Sequence, residues 1–309
     1  MSLASIVIPS RGGAQRLPML LSALAAQDDP DWEALVVLDG DIDASEGVVK
    51  AYAHLPVRSI VFPENRGRVA ALNAGFEQAA GDVLIRCDDD LVPRPDYVRQ
   101  HKAAHAEQPG GAIGLYLNVL PDTPYARTYG RRADDSFRAG AYGTPADRVW
   151  RYWAGNVSTT RGLWEAVGPY DPRYRAYGWE DVDWGYRLHR LGAPVRLVPE
   201  LETTHRVAAV TTRVRVKRAF HSGAARRTFE SLHGDTVLPP VEPGGQGWNS
   251  LVRGTARALD LTALDRASRV VDAVIPALPG PLARKAIALL VESGAVSGYQ
   301  RPQQVRSDF

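Results

Sequence analysis

Three consecutive aspartates, Asp88-Asp89-Asp90, follow a short apolar run and could bind a cation. In an extended segment alternate side chains share a side, so we predict that Asp88 and Asp90 point the same way and that Asp89 points away. Two neighbouring carboxylates raise each other's pKa unless a cation lies between them. Oxygen ligands beside a substrate phosphate suit Mg²⁺ or Mn²⁺. The triplet therefore predicts a divalent metal site, with a solvated acidic turn as the structural alternative.

A second acidic group, Glu180-Asp181, begins a predicted helix that runs to Leu191. The helix dipole favours the ionised form of a carboxylate at this end, and an ionised carboxylate can take a proton from a reacting hydroxyl. Asp181 is therefore the first candidate for a general base, with Glu180 and Asp183 as competitors, and Glu180 could instead orient the hydroxyl-bearing molecule. Asp183 lies one turn further on and is expected to face solvent. Helix capping by these acids is the structural alternative.

The elements that would position these residues alternate between strand and helix. Apolar runs bounded by polar residues predict buried strands, and apolar residues at helical spacing between them predict helices. This alternation indicates an α/β fold with a Rossmann-like, mainly parallel sheet flanked by helices. The predicted strands are Ser5–Ile8, Ala34–Leu38, Arg58–Phe62 and Val83–Cys87, and the predicted helices are Ala14–Gln27, Ser45–Ala53 and Arg68–Ala80.

Polar residues follow each of these predicted strands. Ligands of such sheets bind beyond the carboxyl ends of the strands, so four strand ends are expected to converge on one edge where a nucleotide would bind. The segments concerned are Pro9-Ser10-Arg11, Asp39-Gly40-Asp41, Asn65-Arg66-Gly67-Arg68 and Asp88-Asp89-Asp90.

Taken in order, these motifs resemble those of the family 2 glycosyltransferases of the GT-A fold. The resemblance covers Ile6 to His205 and implies an inverting, non-processive transfer of one sugar, with Mn²⁺ or Mg²⁺ as cofactor. It implies a UDP-sugar donor, with GDP- and dTDP-sugars as alternatives, and a saccharide, lipid-linked or small-molecule acceptor. The motifs that carry it are Pro9-Ser10, Asp39-Gly40, the run from Asn65 to Gly75, Asp88-Asp89-Asp90 and Trp179-Glu180-Asp181.

The resemblance also assigns roles to single residues. Asp88 and Asp90 would bind the metal, and His205 occupies a place from which this family often supplies a further ligand. Asn156 lies in a Gly-Asn segment that the family places near the donor sugar. Aromatic faces suit stacking on a sugar ring, and the predicted sugar contacts of this type are Trp179 and Trp153. The predicted nucleotide contacts are Pro9, Ser10, Arg11, Asp39, Arg68, Asp88 and Asp89.

The sequence departs from the family at one motif and leaves other functions open. Leu38 stands where the family commonly has an acid before Asp39, which leaves the identity of the nucleotide base open. Gly12-Gly13 superficially resembles the glycine-rich loop of sugar-phosphate nucleotidylyltransferases, which is one alternative function. A catalytically silent module that binds nucleotide sugars is another. The Gln-x-x-Arg-Trp motif of processive members does not occur, which favours a single transfer over polymerisation.

The remaining segments are less regular. We predict a strand at Ala112–Leu120, a long loop from Pro121 to Asp147, a helix at Arg161–Val167 and a strand at Val195–Val198.

The run Arg206–Arg227 holds seven Lys or Arg and no acid, and is either a solvated helix face or a surface for anionic phospholipid or a phosphate-bearing acceptor. The predicted divisions are a catalytic domain at 1–206, a basic helical segment at 207–238, a Pro/Gly linker at 239–248 and a C-terminal helical extension at 249–309.

Composition narrows the classes of protein. The 309 residues are 45% hydrophobic with a net charge of +2, which suits a globular core and argues against a dedicated nucleic-acid binder. The single cysteine, Cys87, excludes an internal disulfide. The first residues lack a basic n-region, and no apolar run approaches the roughly 20 residues that span a bilayer. We expect a cytoplasmic protein, with peripheral contact at the inner face of the membrane and homodimer formation as open alternatives.

Overall fold

The computed structural model of the protein describes residues 2–174, 178–206 and 209–305. The chain forms two compact units. The first comprises Met1–Val119, Arg138–Pro172 and Glu180–Val207, and the second comprises Leu120–Phe137, Arg173–Trp179 and Ala208–Phe309. None of the helices in the described ranges combines the length and the apolar character that crossing a membrane requires. The predicted domain boundaries after residues 206, 238 and 248 stay a prediction.

The first unit is built on a mainly parallel sheet. Its strands are β1 (Ala4–Ser10), β2 (Trp32–Asp39), β3 (Val57–Phe62), β4 (Val83–Cys87), β5 (Leu91–Val92), β6 (Gly111–Ile113), β7 (Tyr116–Asn118), β8 (Asn156–Thr160), β9 (Val195–Leu197) and β10 (Thr203–His205). Seven strands form one sheet in the order β3-β2-β1-β4-β8-β6-β9, and a small second sheet has the order β5-β10-β7. Strands β3, β2, β1 and β4 are parallel, whereas β8 is antiparallel to both of its neighbours. The predicted mainly parallel α/β sheet is therefore confirmed.

Helices alternate with these strands along the chain. They are α1 (Leu17–Ala25), α2 (Ser45–Ala51), α3 (Arg68–Gln78), α4 (Tyr97–Ala106), α5 (Arg131–Tyr142), α6 (Arg161–Val167) and α7 (Glu180–Arg190), with 3₁₀ turns at Ala146–Tyr152 and Pro199–Leu201. The sequence predicts α1, α2, α3, α6 and α7 but not α4 or α5, and residues 131–137 of α5 belong to the second unit. Apolar residues of β1, β2, β4 and α1 form the main core, among them Ile6, Ile8, Leu20 and Val36, which are fully buried. The strands and helices predicted between residues 5 and 87 are all present.

The register of the strands brings the polar segments to one edge. Ser10 pairs with Leu38 across β1 and β2, so the strand ends that lead to Arg11 and Asp39 lie side by side. The antiparallel strand β8 begins at the same edge, because Asn156 lies opposite Cys87, the last residue of β4. The ends of the parallel strands β1, β2 and β4 and the start of the antiparallel strand β8 therefore lie at the same edge of the sheet.

Two predicted segments are wrong. Pro121–Asp147 is not a long loop, because it contains a π-helical segment at Ala126–Gly130 and all of α5. Helix α5 buries only Ala141, and its many charged residues give the segment the composition of a loop. The single strand predicted at Ala112–Leu120 is divided into β6 and β7, which belong to different sheets. The division falls at Gly114, where a Cβ would lie 2.1 Å from the carbonyl oxygen of Leu201.

The second unit is helical. Its main helices are α8 (Thr212–His233), α9 (Trp248–Ala258), α10 (Leu261–Val274) and α11 (Gly280–Gln300), with 3₁₀ turns at Ile275–Ala277 and Pro302–Gln304. Buried apolar residues of α8, α10 and α11 form its core, including Val216, Phe220, Leu264 and Ile287. Residues 234–247, all of them described, contain neither helix nor strand.

The basic run Arg206–Arg227 is carried largely by α8, and its cations have different partners. Val207 and Ala208 of this run lie outside the described residues. Arg213 Nε donates to Asp265 Oδ1 at 2.5 Å, and Arg226 Nε donates to Glu230 Oε1 at 2.7 Å. Arg227 lies over the ring of Tyr299, 5.2 Å from its centroid. Three cations of the run therefore have intramolecular partners, and whether the run is a solvated face or a surface for anions stays a prediction.

Glycines allow α8 and α11 to cross closely. A Cβ at Gly298 would lie 1.9 Å from the carbonyl oxygen of Phe220, and a Cβ at Gly223 would lie 1.9 Å from the carbonyl oxygen of Ala295. Real Cβ atoms do not approach backbone oxygens this closely, so a larger residue must push the helices apart. Close contact between these two helices thus depends on both glycines.

We expect Gly298→Ala to lower the free energy of unfolding by about 1–3 kcal/mol, because an added methyl overpacks a tight crossing. Urea unfolding followed by circular dichroism measures this change. The matched control is Gly254→Ala in α9, where an added Cβ would meet nothing within 4 Å. Since alanine is the better helix former, the control is expected to stabilise by about 0.5–1 kcal/mol. Equal stability of the two variants would contradict the close crossing.

Candidate active site

A buried arginine on β4 joins the two acidic groups. The side chain of Arg86 is 1% exposed, and its Nε donates to Asp88 Oδ1 at 3.0 Å. Its Nη1 donates to Oδ1 of Asp181, in the first turn of α7. Asp88 and Asp181 are distant in the sequence, yet they contact the same guanidinium.

The charges in this cluster determine the pKa of Asp88. Burial raises the pKa of Asp88, but the cations of Arg86 and Arg68 outweigh burial and lower it below the usual value. Burial also disfavours the charged form of Arg86, while the carboxylates of Asp181 and Asp88 raise the pKa of Arg86 well above its usual range. The lowered pKa of Asp88 meets the condition stated above, in which a nearby cation prevents the mutual rise of two neighbouring carboxylates. The cation that neutralises it belongs to the chain itself.

Glu180, beside Asp181, is buried and weakly paired. Its side chain lies 3.6 Å from Arg68 Nη1, and neither carboxylate oxygen has a hydrogen-bond partner within the described ranges. Burial raises the pKa of Glu180 to about 7, with the charge of Asp181 adding to the rise and the charge of Arg68 opposing it. A carboxyl group with such a pKa holds and releases a proton near neutral pH, as groups in functional sites often do.

The predicted metal ligand Asp90 lies beside His205. His205 Nε2 is 3.1 Å from Asp90 Oδ2, and its Nδ1 is 2.5 Å from Asn118 Oδ1. The small sheet creates this arrangement, because His205 on β10 pairs with Leu91 on β5 and with Asn118 on β7. A carboxylate oxygen only accepts, so Nε2 donates its N–H to Asp90 in this contact, and a bound cation would take the place of that proton.

Two of the three predicted metal ligands come together. Within residues 2–174, 178–206 and 209–305, no group of three or more His, Cys, Asp or Glu could hold a metal ion. Asp88 turns to Arg86 instead of joining Asp90, because residues 88–90 form a turn and not an extended segment. Asp90 and His205 nevertheless offer an oxygen and a nitrogen ligand, and Mg²⁺ is often held by one or two carboxylates with substrate phosphates and water completing its shell. The donor set fits a cation that shares its coordination with a substrate.

Asp89 joins the acidic turn to the end of β1. Its carboxylate accepts hydrogen bonds from Ser10 Oγ at 2.6 Å and from Arg16 Nη2 at 2.7 Å. Asp89 and Ser10 are buried. Both side chains therefore have intramolecular partners, and their predicted contacts with a nucleotide stay a prediction.

Asp39 also binds the backbone of its own chain. Its two carboxylate oxygens accept hydrogen bonds from the backbone N–H groups of Arg66 and Gly67, at 2.5 and 2.8 Å. Arg11 Nη1 in turn donates to the backbone oxygen of Asp39 at 2.6 Å. These contacts fix the loop that leads into α3 and to Arg68. Pro9 is half-buried at the end of β1, and its predicted contact with the nucleotide stays a prediction.

Two predicted sugar contacts are packing residues. Asn156 is fully buried, and its amide nitrogen donates to the backbone oxygens of Gly114 and Leu201. Trp153 is 3% exposed and stacks on Trp184 with ring centroids 4.9 Å apart. Both side chains are held by intramolecular partners, and their predicted contacts with a sugar stay a prediction.

The residues around Asp181 show one further correction. Asp183 is buried and accepts a hydrogen bond from Arg187 Nε at 2.8 Å, so it does not face solvent as predicted. Trp179 has a left-handed backbone with φ of 72°, which is strained for a bulky residue. Its indole nitrogen donates to Ser222 Oγ at 3.0 Å. A sugar contact by Trp179 stays a prediction.

Sequence reasoning missed Arg86 and Gly155. A Cβ at Gly155 would lie 2.0 Å from Asp88 Oδ2, so only glycine leaves room for the Asp88 carboxylate. The Asp88 N–H donates to the backbone oxygen of Gly155 at 2.9 Å. For Arg86 a signal did exist, because an arginine within an otherwise apolar buried strand must have an anionic partner.

The family profile and the relatives that match this chain agree with one another. The sequence profile of the family described as glycosyl transferase family 2 matches residues 5–159. Validoxylamine A glucosyltransferase of Streptomyces hygroscopicus subsp. jinggangensis is 29% identical over 228 residues, which cover 64% of this chain and 54% of that protein. An undecaprenyl-phosphate 4-deoxy-4-formamido-L-arabinose transferase of Pseudomonas fluorescens is 36% identical over 129 residues, covering 40% of this chain and 38% of that protein. The chain spans about half or less of the length of these relatives.

Solved structures share the fold at low sequence identity. A mannosyltransferase of Pyrobaculum calidifontis in complex with GDP-Man and Mn²⁺ has a TM-score of 0.61 at 17% identity, covering 97% of this chain and 88% of that one. Residues 1–349 of TarS from S. aureus in complex with UDP-GlcNAc give a TM-score of 0.56 at 15% identity, covering 98% of this chain and 92% of that one. These similarities confirm the predicted fold class.

Proposed function

Because the chain belongs to glycosyl transferase family 2, we propose that it transfers one sugar from a nucleoside diphosphate sugar to an acceptor hydroxyl, with inversion at the anomeric carbon. The observation that carries this proposal is the contact of Asp88 and Asp181 with the same guanidinium of Arg86. Asp88 follows a strand end at the edge where nucleotides bind in such sheets. A carboxylate for the acceptor therefore lies next to the place expected for the donor.

Asp181 is the proposed base. Its Oδ1 contacts Arg86, and no hydrogen bond to Oδ2 is found in the part of the chain that the structure describes. As the acceptor oxygen bonds to the anomeric carbon, the bond from that carbon to the diphosphate oxygen breaks and the electron pair leaves with the diphosphate. The hydroxyl proton passes to Asp181 Oδ2. Arg86 holds the carboxylate in place and Glu180 lies beside it.

Asp90 and His205 are the proposed ligands of Mn²⁺ or Mg²⁺. Such a cation, when bound, would neutralise negative charge on the leaving diphosphate. Arg68, at the start of α3, adds a positive charge of the chain itself, since its pKa is raised by the carboxylates of Asp88 and Glu180 against the opposing effect of burial. The solved mannosyltransferase in complex with GDP-Man and Mn²⁺ supports both the donor class and the metal.

The donor and acceptor are proposed by class. We favour a UDP-sugar, with GDP- and dTDP-sugars as alternatives, since the solved neighbours are complexes with UDP-GlcNAc and with GDP-Man. The names of the relatives point to a small-molecule acceptor in one case and to undecaprenyl phosphate in the other. A saccharide, a lipid-linked molecule or a small molecule is therefore the proposed acceptor class.

A panel of UDP-, GDP- and dTDP-sugars, each with Mn²⁺, tests the proposal by thermal unfolding and by sugar release. We expect one nucleotide class to raise the melting temperature, since a ligand at a hundred times its Kd stabilises by about 2.7 kcal/mol. EDTA should abolish sugar release, and Asp90→Asn should weaken the response to Mn²⁺. The control Asp96→Asn changes a carboxylate that pairs with Arg94 instead, and should respond like the unaltered protein. The proposal is wrong if no nucleotide sugar raises the melting temperature of the protein and the protein releases sugar from none of them.

A further inference from the structure

The turn between α10 and α11 exposes apolar side chains. Residues 270–282, which we call the hairpin tip, comprise the end of α10, the 3₁₀ turn at Ile275–Ala277 and the start of α11. Val270, Val274 and Leu282 of the tip are 61%, 39% and 57% exposed. Three large apolar side chains exposed within one short segment make it a candidate interaction surface.

The tip is an ordered structure with a buried anchor. Ile275 is 4% exposed and belongs to the core of the second unit, together with Leu264 and Ile287. Val270 and Val274 are four residues apart on α10 and therefore share one side of that helix. The exposed apolar side chains are thus directed outward by a turn that is fixed from within.

The backbone of the tip suits an apolar environment. Pro276, Pro279 and Pro281 have no N–H group to satisfy. The N–H groups of Leu278 and Leu282 donate to backbone oxygens within the tip, at 3.2 and 2.9 Å. Unsatisfied backbone donors are costly in lipid, and this turn exposes few of them.

Cations flank the tip on both helices. Arg266 and Arg269 precede it on α10, and Arg284 and Lys285 follow it on α11. We call these four residues the basic collar. Each collar residue lies within about two helical turns of an exposed apolar residue of the tip. Long basic side chains near an apolar surface can reach anionic groups above it.

The acids near the collar are already engaged. Asp265 accepts hydrogen bonds from Arg213 at 2.5 Å and pairs with Arg269 at 2.8 Å. Asp272 accepts hydrogen bonds from the backbone N–H groups of Thr212 and Arg213 at the start of α8. The four collar cations outnumber these two acids, although Asp265 already pairs with Arg269 of the collar.

We propose that the hairpin tip inserts into the interface of an anionic lipid bilayer, with the basic collar contacting lipid phosphates. Apolar insertion together with nearby cations is the pattern of peripheral membrane binding. A second copy of the chain fits the tip less well, because a symmetric contact would place one basic collar against the other. The proposal goes beyond the transfer reaction, and it assigns membrane contact to residues 266–285 instead of the run Arg206–Arg227.

Vesicle flotation of the full chain tests the proposal. The protein is mixed with vesicles of phosphatidylcholine alone or with about one third phosphatidylglycerol. We expect at least tenfold tighter binding to the anionic vesicles, and a loss of about tenfold or more in Arg266→Glu/Lys285→Glu, since each cation near the surface contributes about 1 kcal/mol. Val274→Ser/Leu282→Ser should lose binding to a similar extent. High salt should weaken binding of the unaltered protein.

Leu251→Ser is the matched control, because Leu251 is 51% exposed on α9, outside the tip. It should bind vesicles like the unaltered protein, and circular dichroism verifies that every variant folds. Equal binding of the tip variants and the control would overturn the proposal, as would the absence of binding to anionic vesicles. If instead the tip variants change only the sedimentation mass, a second copy occupies the tip and the membrane assignment is wrong. Sugar release from a nucleotide sugar should be unchanged in the tip variants, which separates this proposal from the proposed function.

Discussion

Arg86→Met is expected to lower the free energy of unfolding by about 3–5 kcal/mol, because removing one partner of a buried ion pair leaves an uncompensated charge. Asp88 and Asp181 both lose a hydrogen-bond donor in this variant. The loss should depend on pH. Arg86 lowers the pKa of Asp88 in the folded state against the effect of burial, so the stabilisation is present above the unfolded pKa and disappears as the pH falls through the folded one. Urea unfolding at neutral and at acidic pH measures both effects.

Two further variants make this prediction sharp. Arg99→Met removes an arginine that pairs with Asp28 on the surface, where both side chains are largely exposed, and should change stability little. The double variant Arg86→Met/Asp181→Asn removes one of the stranded charges and should be more stable than Arg86→Met alone. If Arg86→Met proves as mild as Arg99→Met, the two carboxylates do not depend on Arg86.

The sheet could be predicted from sequence because its strands are buried on both faces. Continuous apolar runs such as those of β1 and β4 carry a signal that does not depend on the rest of the fold. Helix α5 has no such signal, since it buries a single residue and is held partly by ion pairs, such as the one between Arg138 and Glu202. A search for apolar runs does not find an element that is held by ion pairs to distant residues.

Part of the candidate site could be predicted in the same way as the sheet, from its continuous apolar strands. The order of the strands brings Asp88 and Asp90 to one edge, and that much follows from the alternation of strand and helix. The direction of each carboxylate depends on partners that are close only after folding, as with Arg86 for Asp88 and His205 for Asp90. Asn156 has a motif position that suggests sugar binding, and its amide donates to the backbone of Gly114 and Leu201. Motif order therefore predicts where a site lies, whereas the directions of the side chains depend on contacts made in the folded chain.

Asp181→Asn is expected to lower kcat by about a thousandfold, since general base catalysis contributes typically 10²–10⁴. Asparagine has nearly the same shape and can still contact Arg86 through its amide oxygen, but it cannot take the acceptor proton. Binding of the nucleotide sugar should therefore be retained, because the side chain is proposed to act on the acceptor. Steady-state transfer assays and calorimetric titration of the donor measure the two quantities separately.

Glu180→Gln is the matched comparison, because Glu180 is the neighbouring acid and also lies in the cluster. If Asp181 is the base, Glu180→Gln should cost much less in kcat than Asp181→Asn. The opposite ranking would move the base to Glu180, whose pKa is raised to about 7 by burial and by the charge of Asp181. The rate of the unaltered enzyme would then fall as the pH drops through about 7, because a base must be ionised to accept a proton. The residual rate of Glu180→Gln would not show this fall at acidic pH. The two assignments thus differ in both the variant ranking and the pH profile.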